Sequence, residues 1–570
     1  METIVTQLER AFRAAIVAAL GVDADPLVGA TQTDQFGDYQ ANAAMGLAKI
    51  AKSNPRAVAE KIKEKLNLGE MASEVSVAGP GFLNVRLSPG WVAKQLNVIV
   101  KDDRLGVERV RELQTVVVDY SGPNVAKQMH VGHLRPTDLG DAISRVVEFE
   151  GHRVIRQNHI GDWGTQFGML LNYLKEANEK RDAHIADLEE FYRAAKKRFD
   201  EDAVFAGEAR NMVVRLQNGG EEELALWRRI IDESRGHFEA IYKRMNVRLG
   251  RENERGESFY NPLLAEVVKE LREKNVAVVS EGATVVWVTG FEAPLIIQKT
   301  DGGFGYATTD LAALAFRIRE LHADRVIYAT DARQAQHFRQ VLDAAARAGW
   351  TEKVRVDHVM NGMICGADGK PFKTRSGDNV KLNDLLDEAE RRGYELAKQK
   401  AGEREVGLSE EQLHDIGRAE GIGGVKYFDL ARDPIGNYVF DWDKMLALDG
   451  NTAPYLQYAY ARIRSIFRRS GIAPNLSAKV SLDTPFELAL GKHILRFGEV
   501  IEIVARELKP HHLSSYLYEL ATKFSAFYEN CPVLQAEESI RASRLVLCEA
   551  TARTMALGLD LLGIEHPEQM

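Results

Sequence analysis

The chain has 570 residues, 45% apolar and 28% charged, so it is neither collagen-like nor disordered and is long enough for several domains. Its 83 acidic and 74 basic residues give a net charge of −9, which excludes a uniformly basic nucleic-acid coat but leaves room for a local basic surface. The three cysteines, Cys365, Cys531 and Cys548, form no CxxC pair, which argues against a disulfide framework or a structural zinc site.

Residues 1–112 predict a small α+β domain. The predicted elements are helices at 1–20 and 38–67, a strand pair at 73–88 around Gly79-Pro80-Gly81, and a helix from about residue 90. The first helix is amphipathic and carries charges among its apolar positions, which is typical of a folded domain rather than a signal peptide. The charged stretch 101–113 is the predicted linker to the next domain.

Residues 113–385 predict an α/β domain. β-Branched runs alternate with helical patterns, and this alternation favours a Rossmann-like sheet of parallel strands. The predicted strands are 116–120, 152–160, 283–289, 294–300 and 325–330, and the first is followed by a helix near 132–150. A charged helical stretch at about 170–280 is the predicted insertion into this domain.

The remainder of the chain is predominantly helical. We expect a helical connecting segment at 386–450 and an all-α helical-bundle domain at 451–570. The whole chain is therefore predicted to be a multidomain α/β protein with a small α+β domain before the Rossmann-like domain and a helical domain after it. No apolar run reaches the ~18 residues of a membrane span, so we expect a cytoplasmic protein without a membrane partner.

The stretch DYSGPNVAKQMHVGHLR at 119–135 carries the strongest chemical signal. A strand ends, a Gly-Pro loop turns, and His130-Val-Gly-His133 opens a helix whose N-terminal N–H groups suit phosphate. Two imidazoles there could donate hydrogen bonds to phosphate oxygens, and Gly132 leaves room for a base or ribose. An ordinary surface HxxH, or half of a metal site, is the alternative.

A second basic loop lies at 369–378, in GKPFKTRSGD. The neighbouring GADGKPFK lacks the glycine spacing of a phosphate-binding P-loop, and Pro371 follows its lysine, so a Walker-type NTPase is disfavoured. The cations Lys370, Lys373 and Arg375 could still hold a leaving pyrophosphate. A solvated basic turn is the alternative.

The helical pattern at 454–469 has two stripes. The first, with Leu456, Tyr460, Ile463 and Phe467, is predicted to be core. The second consists of Tyr455, Tyr458, Arg462 and Arg469. Tyrosines beside arginines suit stacking on unpaired bases and pairing with phosphates, although a solvated helix face has the same composition.

These motifs resemble arginyl-tRNA synthetase, a family of class I aminoacyl-tRNA synthetases. SGPNVAKQMHVGHLR resembles the HIGH signature, and FKTRSG is similar to a degenerate KMSKS loop. The resemblance extends over essentially the whole chain, through FGDYQANAAM, AGPGFLNV, GDWGTQFG, ESFYNP, SEGATVV, QKTDGGFGYATTDLA, ARQAQHF, GNTAPYLQYAYARI and LGLDLLGIEHPEQM.

The resemblance implies roles for individual residues in ATP chemistry. His130 and His133 contact the phosphates, Gly132 lies against the adenosine, and Lys373 and Arg375 belong to the mobile catalytic loop. Lys299, just ahead of the DGG turn, takes the place of the second KMSKS lysine. Relatives have Ser-Thr-Ile where this chain has Pro136-Thr137-Asp138, and because proline fits only a first turn, we expect the signature helix to start one or two residues late.

The resemblance also implies an arginine pocket. Its expected members are Asp119, Asn124, Tyr306, Asp310 and Gln334. A guanidinium has five donors and a permanent charge, so it requires carboxylates in fork geometry. Asp310 in TTDLAALAF also fits an N-terminal helix cap, which is the alternative for that residue.

The implied reaction activates L-arginine with ATP and Mg²⁺ to arginyl-adenylate and transfers arginine to the 3′ end of tRNA(Arg). The resemblance further implies that tRNA must be bound for activation, that the C-terminal helical domain binds the anticodon loop near Met570, and that the N-terminal domain contacts the tRNA. We expect a monomer. Another class I amino-acid ligase, or a non-catalytic tRNA-binding relative, are the alternatives.

Overall fold

The computed structural model describes residues 1–31, 33–179, 188–374, 379–403 and 407–570. The chain divides into two compact units. The first comprises Met1–Arg109, Ala447–Asp560 and His566–Met570, and the second comprises Val110–Leu446 and Leu561–Glu565. Within the described ranges no helix is long and apolar enough to cross a bilayer.

The N-terminal part of the first unit is an antiparallel sheet with helices. Its elements are α1 Ile4–Leu20, β1 Val28–Ala30, β2 Tyr39–Ala41, α2 Ala44–Ile50, α3 Pro55–Lys65, β3 Ala72–Ala78, β4 Phe82–Leu87 and α4 Pro89–Ile99. The sheet order is β1-β2-β4-β3, and every pairing is antiparallel. The predicted strand pair at 73–88 is confirmed as β3 and β4.

The prediction of one helical segment at 38–67 is wrong. Tyr39 and Ala41 are buried on one face of β2, where they pair with β4. The Asn54 side chain caps the start of α3, and Pro55 occupies its first position, so a new helix begins there. The apolar periodicity predicted a single helix, but the pairing of β2 with β4 and the cap at Asn54 divide this segment into a strand and two helices.

The second unit contains the parallel sheet. Its elements are β5 Thr115–Asp119, α5 Leu134–Phe149, β6 Arg153–Gln157, α6 Gln166–Glu179, α7 Leu188–Glu201, α8 Ala203–Gln217, α9 Glu221–Arg244, α10 Glu257–Tyr260, α11 Leu264–Glu273, β7 Val278–Ser280, β8 Ala283–Val286, β9 Leu295–Gln298, α12 Tyr306–Arg319, β10 Arg325–Asp331, α13 Ala335–Arg347, β11 Arg355–Asn361, β12 Ile364–Cys365, α14 Leu382–Glu403, α15 Glu410–Leu430, β13 Tyr438–Val439 and α16 Trp442–Met445. The parallel order is β11-β10-β5-β6.

Two predicted members of the parallel sheet lie elsewhere. β8 and β9 form a separate antiparallel sheet with β7, in the order β7-β8-β9, so placing 283–289 and 294–300 in the parallel sheet is wrong. Glu281 and Gly282 both have positive φ and form a two-residue turn, which makes β7 and β8 a hairpin. The parallel sheet instead includes β11, which the sequence analysis did not predict.

The C-terminal part of the first unit is a helical bundle. Its helices are α17 Ala453–Ser470, α18 Pro485–Leu495, α19 Phe497–Glu507, α20 His511–Asn530 and α21 Glu538–Leu561. The Thr452 side chain caps α17, and the helix ends at Gly471 in the left-handed conformation. The predicted core stripe of α17 is confirmed for Leu456, Tyr460 and Ile463, which are buried.

A buried carboxyl joins the two parts of the first unit. Glu499 on α19 accepts hydrogen bonds from the Tyr39 hydroxyl at 2.7 Å and the Val5 N–H at 3.3 Å. Burial raises the pKa of Glu499 to about 7, and the nearby Arg496 cation opposes this rise. The protonated form is therefore the one that the fold favours.

This raised pKa predicts a loss of stability as pH rises from about 4.5 to 7, because ionisation is easier in the unfolded chain. The neutral isostere Glu499→Gln should remove that contribution, which is on the order of 3 kcal/mol. We expect the apparent Tm of the variant relative to wild type to increase between pH 5 and pH 8 in thermal unfolding. An equal Tm difference at both pH values would contradict this assignment.

Candidate active site

The strand order of the parallel sheet reverses between β5 and β10. The chain adds β6 on one side of β5 and later adds β10 and β11 on the other. Ligands of open α/β sheets bind outside the carboxyl ends of the strands at such a switch point. The loop at 120–133 follows β5, and a single 3₁₀ turn, Ala332–Gln334, follows β10, so both lie at this crevice.

The loop after β5 is held in a strained conformation. Ser121 and Ala126 have φ of 76° and 61° although neither is glycine. The Ser121 hydroxyl shares a 2.8 Å hydrogen bond with the Tyr242 hydroxyl, which also accepts from the Asn158 amide at 3.0 Å. The Ala126 N–H donates to the Ser234 hydroxyl at 3.0 Å. Side chains of α9 therefore fix the shape of this loop.

The two signature histidines form a compact turn. Val131–His133 is a single turn of 3₁₀ helix, and the two imidazole centroids are 4.1 Å apart. The Gly132 N–H donates to His130 Nδ1 at 3.0 Å, and the His130 N–H donates to His133 Nδ1 at 3.1 Å. Because both Nδ1 atoms accept, each neutral ring carries its proton on Nε2. The turn presents two N–H donors.

Burial keeps both imidazoles neutral. It lowers the pKa of His133 to about 3, and the adjacent His130 contributes to that shift. Burial, with the cations Arg333 and Lys127, also lowers the pKa of His130. A Cβ at position 132 would lie 2.8 Å from the His130 ring, so glycine is required there by the ring itself.

The α-helix that carries the signature begins at Leu134, two residues after the predicted start, with Pro136 in its first turn. The Thr137 hydroxyl donates to the His133 carbonyl at 2.6 Å, and its oxygen lies 2.9 Å from the Ser121 hydroxyl oxygen. Arg135 pairs with Asp429 of α15 at 2.6 Å, and both side chains are fully buried. Pro136, Thr137 and Asp138, which distinguish this chain's signature helix, are therefore buried in a packed helix.

Asp119, at the end of β5, is ion-paired within the protein. Its Oδ2 accepts from the buried Arg317 guanidinium at 2.8 Å. Arg317 also donates to the Gln157 amide oxygen at 2.6 Å and lies over the Tyr328 ring. The structure thus places a guanidinium from α12 on the carboxylate that the sequence analysis assigned to substrate.

Asn124 lies in the loop after β5, beside the GDWG segment. It forms a parallel bridge with Gly161, and a Cβ at 161 would lie 2.3 Å from its side-chain oxygen. Its side chain is exposed. Glycine at 161 therefore makes the room that this position of Asn124 requires.

Tyr306 and Asp310 lie on the first turn and a half of α12. The Asp310 Oδ2 is 2.5 Å from His337 Nε2, and the Tyr306 ring is 4.8 Å from the His337 ring. Gly305, not Asp310, is the N-cap residue of α12, so the capping interpretation of Asp310 is wrong. Gln334 is exposed just before α13, the helix that carries His337. Tyr306, Asp310 and His337 therefore form one polar cluster, and Gln334 lies on the turn that precedes the helix of His337.

The sequence analysis missed Glu257 and His337 as individual residues, although it quoted ESFYNP and ARQAQHF, the segments that contain them. Burial, together with the negative charges of Asp162 and Asp310, raises the pKa of Glu257 to about 7. Glu257 begins the short helix α10. The negative charge of Asp310 therefore acts on the Glu257 carboxyl, and a cation bound near both groups would lower the pKa of Glu257 and ionise it.

The predicted basic groups lie on two separate loops. Lys299 is exposed in the turn after β9, where its N–H donates to the Gly303 carbonyl at 2.8 Å. Lys370 and Lys373 are exposed, and Lys373 bridges to Asn379. Arg375 lies outside the described residues. The far end of this loop pairs with the signature turn, since Val131 donates to the Val380 carbonyl at 2.9 Å.

The second stripe of α17 lies in the first unit. Tyr455 and Tyr458 are half-buried, and the Tyr455 ring is 5.8 Å from Tyr518. Arg462 and Arg469 are exposed, and Met570 is half-buried at the chain end. Among the described residues no cluster of three or more His, Cys, Asp or Glu is arranged to hold a metal.

Comparison with known families covers nearly all of the chain. Residues 95–442 match the model for the catalytic domain of class I (R) tRNA synthetases, 456–570 match the DALR anticodon binding domain, and 6–87 match the arginyl tRNA synthetase N-terminal domain. The chain is 48% identical to the arginine–tRNA ligase of Chromobacterium violaceum over all of both chains. It is 49% identical to that of Proteus mirabilis, with 99% of each chain covered.

Solved structures that resemble this chain belong to the same family. Arginyl-tRNA synthetase from Plasmodium falciparum is similar with a TM-score of 0.88 and 31% identity. The Thermus thermophilus arginyl-tRNA synthetase has a TM-score of 0.82 and 26% identity. All of this chain and all of each of those chains are covered.

Proposed function

This chain belongs to the arginyl-tRNA synthetase family, and from that premise we propose how its crevice performs the family's reaction. The enzyme is an arginine–tRNA ligase that activates L-arginine with ATP and transfers it to the 3′ end of tRNA(Arg). The observation that carries the proposal is the pair of neutral imidazoles, each with Nδ1 already bonded, at the switch point of the sheet.

His130 and His133 bind the phosphates of ATP through their Nε2–H groups. Neutral donors fixed by backbone hydrogen bonds need no reorganisation when charge grows on the α-phosphate oxygens. Gly132 lies against the adenosine, while Lys299, Lys373 and Arg375 neutralise the pyrophosphate. Mg²⁺ enters with ATP as part of the substrate and adds positive charge to its phosphates.

The guanidinium of L-arginine binds at the cluster on α12. Asp310 supplies one carboxylate and Glu257 a second, which the substrate cation would ionise. Tyr306, Asn124 and Gln334 supply polar contacts around the substrate. Asp119 acts through Arg317, whose ion pair at 2.8 Å fixes the end of β5 next to the signature loop.

Catalysis is by positioning and charge stabilisation. A carboxylate oxygen of arginine attacks the α-phosphorus of ATP, the bond to the bridging oxygen breaks, and pyrophosphate leaves with the electron pair. A hydroxyl of the terminal tRNA ribose then attacks the arginyl carbonyl, AMP leaves, and the hydroxyl proton is released. No covalent enzyme intermediate is formed.

The tRNA binds to both parts of the first unit. The second stripe of α17, with Tyr455, Tyr458, Arg462 and Arg469, takes the anticodon loop, and Met570 lies at its edge. The N-terminal domain, residues 1–112, contacts the body of the tRNA. The catalytic domain comprises residues 113–385, with its insertion at about 170–280. Residues 386–450 connect it to the anticodon-binding domain, residues 451–570. The working enzyme is a cytoplasmic monomer.

Arginine-dependent pyrophosphate exchange, measured with and without tRNA(Arg), tests this proposal. We expect exchange only when arginine and tRNA are both present, because the tRNA end orders the pocket and the loop at 369–378. Exchange driven by another amino acid would identify a different class I ligase, and no exchange with bound tRNA would identify a non-catalytic relative. Equal rates without tRNA would overturn the induced-fit step.

A further inference from the structure

A short segment near the C-terminus crosses from one unit into the other. The chain leaves the first unit after Asp560, and Leu561–Glu565, here called the strap, belong to the second unit. The chain then returns at His566, whose Nε2 is 3.1 Å from Asp560 Oδ1. Leu562 and Ile564 are each 1% exposed. The centre of the strap is therefore buried, and the residues on either side of it, Asp560 and His566, are hydrogen-bonded to each other.

Gly563 is the centre of the strap. Its φ is +68°, and its carbonyl accepts from Lys426 Nζ at 2.9 Å and from the Asn246 amide at 3.3 Å. A Cβ at this position would lie 2.8 Å from Lys426 Nζ and 3.2 Å from Asp141 Oδ2. Both the backbone conformation and the surroundings therefore require glycine.

The groups around Gly563 also hold the signature helix α5. Lys426 Nζ lies 3.8 Å from Asp138 Oδ1, and Asp141 pairs with Arg145 at 2.7 Å. All four side chains are almost completely buried. Burial raises the pKa of Asp138, and the Lys426 ammonium opposes that rise. Displacing one member leaves the others as uncompensated buried charges, which is strongly unfavourable.

The chain beyond the strap is fixed to α17. The Arg468 guanidinium donates to the Glu568 carbonyl at 2.6 Å, and the His566 ring is 4.9 Å from the Tyr460 ring. The residues that follow the strap therefore pack within the first unit.

We propose that the strap is a positioning element for amino-acid activation: it holds Lys426 and the buried charges of α5 in place, and so keeps the signature turn in register for ATP. This proposal rests on the ATP-binding role proposed for His130 and His133.

The test compares Gly563→Ala with Gly219→Ala in the full chain. Gly219 also has a left-handed φ, +78°, but a Cβ there would meet nothing within 4 Å. We expect Gly563→Ala to lower kcat of exchange about tenfold at saturating tRNA(Arg), with KM for arginine unchanged. Gly219→Ala should keep the wild-type kcat. Equal kcat in the two variants would overturn the proposal.

Lys426→Met provides a second measurement through a double-mutant cycle. If Gly563→Ala acts by displacing Lys426, adding it to Lys426→Met should lower exchange by less than twofold more. A further tenfold loss would overturn the proposed route. Should Gly563→Ala not fold, Glu565→Gln, which weakens the 2.6 Å pair between the strap and Arg418, replaces it and should lower kcat with KM for arginine unchanged. Absence of exchange in wild type would instead reject the proposed function.

Discussion

Replacing Asp310 by alanine should lower kcat/KM for arginine by roughly 10²–10⁴, because a charged substrate group loses its half-buried carboxylate partner. Asp310 is fixed by His337 at 2.5 Å and lies in the same acidic field as Glu257. The guanidinium would keep only Glu257, while His337 would lose its acceptor. Most of the loss should appear as a higher KM, since the guanidinium is bound equally before and during reaction.

Exchange kinetics at saturating ATP and tRNA check this expectation. The matched control is Asp343→Asn on α13, which weakens a 3.6 Å surface pair with Arg347 and should change kcat/KM by less than twofold. Asp310→Glu keeps the charge but displaces it, and should fall between alanine and wild type. An unchanged KM for arginine in Asp310→Ala would remove Asp310 from the pocket.

The signature crevice could be predicted because its information is local. A β-branched run, a Gly-Pro loop and HVGH follow one another at 116–135, and the structure contains a strand, a loop and a turn in that same order. The same stretch did not reveal the positive φ of Ser121, because that strain is maintained by Tyr242, which is 121 positions away in the chain. The structure of the loop therefore depends on α9, which no local pattern indicates.

The arginine pocket was predictable only in part, for a related reason. Asp310 and Tyr306 share one helix, so their spacing places them together. Glu257 reaches the same field from α10, and the partner of Asp119 is Arg317 of α12, neither of which follows from spacing. The parallel sheet was predictable to a similar extent, since short strands such as β8 and β9 reveal their β character but not which strands they pair with.

Replacing His133 by alanine should lower kcat for activation by about 10²–10³, the cost of removing one preorganised donor to developing charge. The substitution removes the Nε2–H donor and also the Nδ1 acceptor of the His130 N–H, whereas the Gly132 N–H still donates to His130 Nδ1 and keeps that ring in place. KM for ATP should change by less than about threefold, because the donor acts mainly on charge that appears in the transition state.

The pH dependence separates this role from general acid–base chemistry. Since the pKa of His133 is near 3, its imidazole stays neutral above about pH 5, and we expect no change in wild-type kcat from its titration between pH 6 and pH 9. His133→Asn keeps a side-chain donor and acceptor and should recover part of the loss, whereas the surface substitution His237→Ala should have no effect. A kcat for His133→Ala within threefold of wild type would show that the phosphates are stabilised by other groups.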